Sequence, residues 1–123
     1  MRILLADDQA EVRSALRLLL EQEPGLAVVG EAVDAQDLLS QATVAQPDLV
    51  LLDWELPGSP AADLLLALRA SCPAAKVIAL SGRPEALREA LAAGIDAFVS
   101  KGDPPERLVA ALHVFDAEGG AGQ

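Results

Sequence analysis

The chain predicts an α/β fold, a doubly wound five-stranded parallel sheet, on three observations. Five short apolar runs alternate with five amphipathic segments, the pattern of strands joined by crossover helices. The run Leu49-Val50-Leu51-Leu52 is apolar at every position, as a parallel strand buried on both faces requires. Four runs end in a polar group: Asp7-Asp8 after Ile3-Leu4-Leu5-Ala6, Asp53 after Leu52, Ser81 after Val77-Ile78-Ala79-Leu80, and Ser100-Lys101 after Ala97-Phe98-Val99.

Residues 2–6 read as the first strand. A helix over about 9–22 follows, with Val12, Leu16, Leu19 and Leu20 on one face, and Pro24-Gly25 stops it. The second strand lies near 26–31. Asp34 is an N-cap for a second helix that turns Leu38, Ala42 and Ala45 inward, and Pro47 ends it. Residues 48–52 form the third strand, Pro57-Gly58-Ser59-Pro60 a loop, and 61–71 the third helix. The fourth strand is 76–80. Pro84 suits the first position of a fourth helix, which Gly94 closes. The fifth strand is 96–100. Asp103 then caps a fifth helix that begins with Pro104 and carries Leu108, Leu112 and Phe115 on one face. Residues 1–117 read as one domain, and the Gly-rich 118–123 as a flexible tail or the root of a linker.

At 123 residues a single domain can bury a core without disulfides or structural metal. Aromatics make up only 2%, so that core is aliphatic. The lone Cys72 excludes an internal disulfide and suits a reducing compartment. The opening apolar stretch is too short for a signal peptide, and no run reaches membrane-spanning length, so the expected location is cytoplasmic. A net charge of −10 argues against nucleic-acid binding by this domain alone. Between Leu18 and Leu68 there are nine acids and no Lys or Arg: a solvated acidic face, or a field that selects a basic partner.

In open parallel sheets, ligands bind beyond the carboxyl ends of the strands, where strand order reverses. Strand order 2-1-3-4-5 puts the four polar termini together there. Three crowded carboxylates repel one another, and a hard divalent cation relieves the conflict. Asp8 and Asp53 are the expected direct ligands of Mg²⁺, with Asp7 acting through water and the Glu55 backbone carbonyl completing the protein share. Asp53 ends the most apolar strand and is the expected nucleophile toward phosphorus. Lys101 supplies positive charge and Ser81 a hydroxyl to the transferring group. Taken singly, each residue has a plainer reading: Asp7-Asp8 as a helix cap, Lys101 as a solvated turn residue, Ser81 as a turn residue before Pro84. Their conjunction is far more specific than any member.

From Met1 to about Phe115 the chain resembles the receiver domains of two-component response regulators, a flavodoxin-like (βα)5 family. Asp7-Asp8 resembles the family's acidic pair, and Asp53 with Leu56-Pro57-Gly58 its phosphoacceptor and loop. Ser81 resembles the switch hydroxyl, Phe98 the switch aromatic and Lys101 the invariant lysine. Glu31 and Lys101-Gly102-Asp103-Pro104 are similar to receivers of LuxR-type (NarL/FixJ-like) regulators. The resemblance implies Mg²⁺-dependent phosphoryl transfer to Asp53 from a sensor histidine kinase or a histidine phosphotransfer protein. It also implies a switch in which Ser81 moves inward and Phe98 turns, reshaping the surface of the fourth helix, fifth strand and fifth helix. That surface would then engage a downstream effector, a fused output domain or a second copy.

The sequence departs from the family pattern in places. Gln9 stands where LuxR-type receivers often have His, and Pro60-Ala61 replaces the usual Asp-Gly, where Gly would allow wider backbone angles. Trp54 is bulkier than the usual aliphatic, so it either lines a partner surface or caps the core edge. Glu55 and Arg83, two residues beyond Asp53 and Ser81, are expected to pair across the site entrance and tune phosphate lifetime, or to be an exposed pair of little consequence. His113 and Cys72 have no partner at ligand spacing. Two other functions compete: a receiver fold that binds protein partners without phosphorylation, and a haloacid-dehalogenase-type phosphatase. The latter class normally has Asp where Glu55 stands, and a longer chain.

Overall fold

The computed structural model describes the backbone of residues 1–121 and the side chains of residues 1–116. The elements follow strictly alternating order: β1 (Arg2–Ala6), α1 (Ala10–Glu21), β2 (Ala27–Ala32), α2 (Ala35–Ala45), β3 (Leu49–Asp53), α3 (Ala61–Ser71), β4 (Lys76–Ser81), α4 (Ala86–Ala92), β5 (Ala97–Ser100) and α5 (Pro105–Ala121). The strands form one parallel sheet in the order β2-β1-β3-β4-β5, as the sequence predicts.

Alternation along the central strands divides the core into two layers. Ile3, Leu5, Leu49, Leu51, Ile78 and Leu80 face α1 and α5, where they meet Leu20, Leu108 and Leu112. Leu4, Val50, Leu52, Val77 and Ala79 face the opposite way, toward Leu38 and Ala42 of α2, Leu64, Leu65 and Leu68 of α3, and Ala86 and Ala90 of α4. Every residue of β3 is buried. Each such Leu or Ile contributes about 1.5–3 kcal/mol by leaving water, so the sheet is held mainly by its middle strands.

Several local expectations shift. Pro84 is not the first residue of α4. Arg83 and Pro84 carbonyls accept from Ala86 and Leu87 at 3.0 and 3.2 Å, a tight turn that precedes the helix. The fixed φ of proline favours that turn, and Gly94 closes α4 as expected, with φ +91°. Asp103 does not cap α5. Its carboxylate turns back to accept from the Ser100 amide at 3.2 Å, and the helix begins two residues later at Pro105. Asp34 does cap α2, accepting from the Asp37 amide at 2.8 Å, whereas Ala45 is only half-buried. The helix α5 continues to Ala121, into the segment expected as a tail from residue 118, where no proline interrupts the series of donors. The last two residues of that segment, 122–123, lie outside the described residues.

The loop after β3 is fixed against α2. The Pro57 carbonyl accepts from the Ala35 amide at 2.9 Å, and Gly58 adopts φ +107°. A Cβ on Gly58 would lie 3.2 Å from the Ala35 Cβ and 3.3 Å from its nitrogen. Gly58→Ala is therefore expected to destabilise the protein by about 1 kcal/mol or more in urea unfolding. Gly102→Ala, at a position without positive φ and with its nearest neighbour at 3.8 Å, is the control expected to be neutral or slightly stabilising.

Candidate functional site

Strand register brings the polar termini together. Ala6 pairs with Leu52, Asp53 with Leu80, and Ser81 with Ser100. Asp7 and Asp53 thus end adjacent strands, with Ser81 and Lys101 on the next two. The ladder continues past the strand ends: Asp7 donates its amide to the Ala32 carbonyl (3.0 Å), Trp54 to Leu80 (2.8 Å) and Lys101 to Ser81 (2.8 Å). These bonds fix the backbone of the residues that carry the chemistry.

The Lys101 ammonium reaches across the sheet edge to Asp7 Oδ2 at 2.8 Å and Asp53 Oδ1 at 3.5 Å. Asp7 Oδ1 accepts from the Gln9 amide at 2.9 Å, and Asp53 Oδ1 from the Glu55 amide at 3.0 Å. Asp7 and Asp53 are both buried while Asp8 is exposed, and one oxygen from each of the three lies within 4.8 Å of the others. Buried and exposed hard oxygen donors this close suit a small divalent cation reached from solvent.

Burial pushes the Asp53 carboxyl above its usual range, with the nearby Asp7 and Glu55 charges adding to the effect and the Glu55 amide and Lys101 opposing it. Burial alone would lower the Lys101 ammonium, but its hydrogen bond to Asp7 and the charges of Asp53 and Asp7 outweigh that and raise it. The cation is therefore firmly charged where the carboxylates crowd.

On the other side, Ser81 is fully buried and donates to both Glu55 carboxylate oxygens at 2.9 Å. Its Oγ accepts from the Arg83 amide at 3.0 Å, and the Arg83 guanidinium meets Glu55 Oε2 at 3.3 Å. Glu55 and Arg83 do pair, and the pair also includes Ser81. Trp54 is buried and caps the core edge rather than lining a surface, its indole N–H donating to Glu89 Oε1 of α4 at 3.1 Å. Phe98 is half-buried against the layer beneath α2, α3 and α4. His113 is exposed and contacts Glu23 at 2.8 Å, and Cys72 is buried with Sγ 3.2 Å from the Ala42 carbonyl.

Two supporting residues are not legible in the sequence. Arg13 donates to the Asp7 carbonyl at 2.7 Å and to Glu31 at 3.1 Å, so it fixes the acidic turn to β2. Glu89 holds Trp54. Arg13 falls one turn into α1, a spacing that could have flagged it, but nothing in the sequence pairs Glu89 on α4 with a tryptophan in the turn after β3.

The same fold recurs in known proteins. Residues 3–113 match the family model of the response regulator receiver domain. The nitrate/nitrite response regulator protein NarL of Escherichia coli K12 is 34% identical over 113 residues, covering 90% of this chain and 52% of that protein. The chain spans about half the length of such relatives. A LuxR-family two-component response regulator from Aurantimonas sp. SI85-9A1 superposes with a TM-score of 0.87 at 33% identity, covering 95% of this chain and 85% of that one. RcsB from Salmonella enterica serovar Typhimurium, solved on a promoter with a phosphomimetic, superposes at 0.86 with 26% identity, over 94% and 98% of the two chains. With the acidic cluster, the buried serine and the bridging lysine at the carboxyl ends of a 2-1-3-4-5 sheet, this chain belongs to the response regulator receiver domain family.

Proposed function

We propose that this chain accepts a phosphoryl group on Asp53 in a two-component signalling pathway. The observation that carries the reading is Asp53 itself: buried at the end of the central strand, 3.5 Å from an ammonium and beside two further carboxylates. Burying an ionisable group beside like charges costs stability, which favours a site kept for chemistry over one kept for packing.

Asp53 Oδ1 is occupied by the Glu55 amide and Lys101. Among the described residues Oδ2 has neither contact, and it is the oxygen assigned to attack. A P–O bond forms to Oδ2 as the P–N bond to a donor phosphohistidine breaks, and the imidazole leaves with the electron pair. Lys101 stabilises charge on the phosphoryl oxygens, and the Ser81 hydroxyl donates to one of them. Mg²⁺, held by Asp8, Asp53 and the Glu55 carbonyl with Asp7 through water, would neutralise the crowded carboxylates and add positive charge beside the phosphoryl group. The engagement of both Asp7 oxygens by Lys101 and the Gln9 amide supports its placement behind a water.

The donor is a sensor histidine kinase or phosphotransfer protein, and the acidic stretch between Leu18 and Leu68 favours a basic docking face on it. Transfer draws Ser81 toward the new group and frees Phe98 to turn, altering the surface of α4, β5 and α5. That surface meets an effector, a second copy or an output domain fused as in the LuxR-type relatives. No described helix is long and apolar enough to cross a membrane, and a cytoplasmic setting fits this pathway.

Incubation with Mg²⁺ and acetyl phosphate is expected to add one phosphoryl group by intact mass, absent from Asp53→Ala and from an EDTA control. No adduct on the intact protein, with beryllofluoride also failing to bind, would favour a phosphorylation-independent binding module.

Burial of the Asp53 carboxyl, with repulsion from Asp7 adding to it, predicts a second outcome. Because the folded Asp53 carboxyl holds its proton to higher pH than the unfolded one, its contribution weakens the fold as pH rises through the interval between the two. In EDTA, Asp53→Asn should raise the urea midpoint at pH 7, and the gain should shrink near pH ~3, below the ordinary aspartate value. Mg²⁺ should stabilise the native protein and narrow the difference.

The Glu55–Arg83 pair at the entrance limits water access to the phosphoryl group. Arg83→Ala should shorten the phosphate lifetime severalfold, followed by loss of the phosphorylated mass after desalting, and an unchanged rate would remove this role.

A further inference from the structure

We propose that the Glu55 carboxylate competes with the incoming phosphoryl group for the Ser81 proton, which makes it a positioning residue that sets the threshold of the switch. The inference rests on the phosphoacceptor reading of Asp53 and adds to it a built-in competitor.

A serine hydroxyl has one proton to give. In this structure Ser81 places it between the two Glu55 oxygens, each 2.9 Å away. Oγ accepts from the Arg83 amide at 3.0 Å, and the other acceptor in reach of the O–H, the Arg83 carbonyl, is farther than Glu55 at 3.4 Å. That amide belongs to the backbone, so no side-chain substitution relieves it. The Arg83 guanidinium, 3.3 Å from Oε2, stabilises the carboxylate in the competing pose.

Glu55 is thus an anionic acceptor of two oxygens on a fully buried hydroxyl, the same kind of partner that a phosphoryl group presents. A hydrogen bond to a charged group inside a protein is stronger than one between neutral groups. The Ser81 proton cannot serve both anions, so the phosphoryl group gains it only after Glu55 yields. Glu55 can yield without unfolding anything, because its side chain is over a third exposed and is followed by a loop, not a helix. Its backbone carbonyl, the expected metal contact, is untouched when the side chain is removed.

Removal of a negative charge near the site would by itself favour an anion, so the test must separate competition for Ser81 from bulk repulsion. Beryllofluoride affinity, in saturating Mg²⁺ and read by ¹⁹F NMR, is measured for the native protein, Glu55→Ala, Ser81→Ala and the double variant. Competition predicts that Glu55→Ala binds about three- to tenfold more tightly. In the Ser81→Ala background the same change should gain less than about twofold, because no proton remains to contest. Glu55→Gln, which keeps an acceptor and loses the charge, should fall between native and Glu55→Ala.

Equal gains in both backgrounds, or Glu55→Gln matching Glu55→Ala in each, would reduce the effect to charge and overturn the competition alone. No gain from Glu55→Ala would also overturn it. Native protein that binds no beryllofluoride would overturn the phosphoacceptor reading and the competition together.

Discussion

Lys101 binds the site into one unit. Its ammonium crosses from the end of β5, over β4 and β3, to Asp7 at the end of β1. Without it, two buried carboxylates on adjacent strands would face each other in a medium that screens them poorly. Removing one partner of a buried ion pair typically costs about 3–5 kcal/mol, because the remaining charge stays uncompensated. The geometry of the sheet edge follows from that single bridge, which also holds in check the rise that burial imposes on the Asp53 carboxyl.

Two further contacts carry the state of the site outward. The Trp54 indole joins the residue after Asp53 to Glu89 on α4. The Ser81 hydroxyl joins the end of β4 to Glu55 in the loop after β3. Both contacts use carboxylate acceptors, and both connect a buried side chain to one that borders solvent. A new anion on Asp53 would disturb Ser81 directly and Trp54 through its own backbone. The apolar layers beneath, filled mostly by Leu, Val and Ala, resist continuous deformation and favour discrete packings. Phe98, with no hydroxyl, takes part in any such change by packing alone.

Much of this was legible in the sequence because it depends on periodicity. The uniform apolarity of Leu49–Leu52 marks a strand buried on both faces, and alternation of strand and helix then limits the topology, so the meeting of Asp7, Asp53, Ser81 and Lys101 follows from strand order. Local chemistry that has two outlets was less legible. Asp103 has a free helix N-terminus ahead of it and a strand end behind it, and it satisfies the strand. Pro84 fits a first helical turn and a tight turn equally well, and the chain uses the turn. Long side chains that reach across elements leave no periodic trace. The pairing of Glu55 with Arg83 could be anticipated from their offsets, but its capture of Ser81 could not, nor could the bond between Trp54 and Glu89.

On the proposed reading, this edge of the sheet delivers a phosphoryl group to one carboxylate among three crowded neighbours. Borohydride reduction of the phosphorylated protein, followed by peptide sequencing in the mass spectrometer, locates the acceptor, since an aspartyl phosphate is reduced to homoserine. The geometry predicts homoserine at position 53 alone. Homoserine at position 7 or 8, or reduction at no acidic residue, would contradict the assignment of Asp53 and the account built on it.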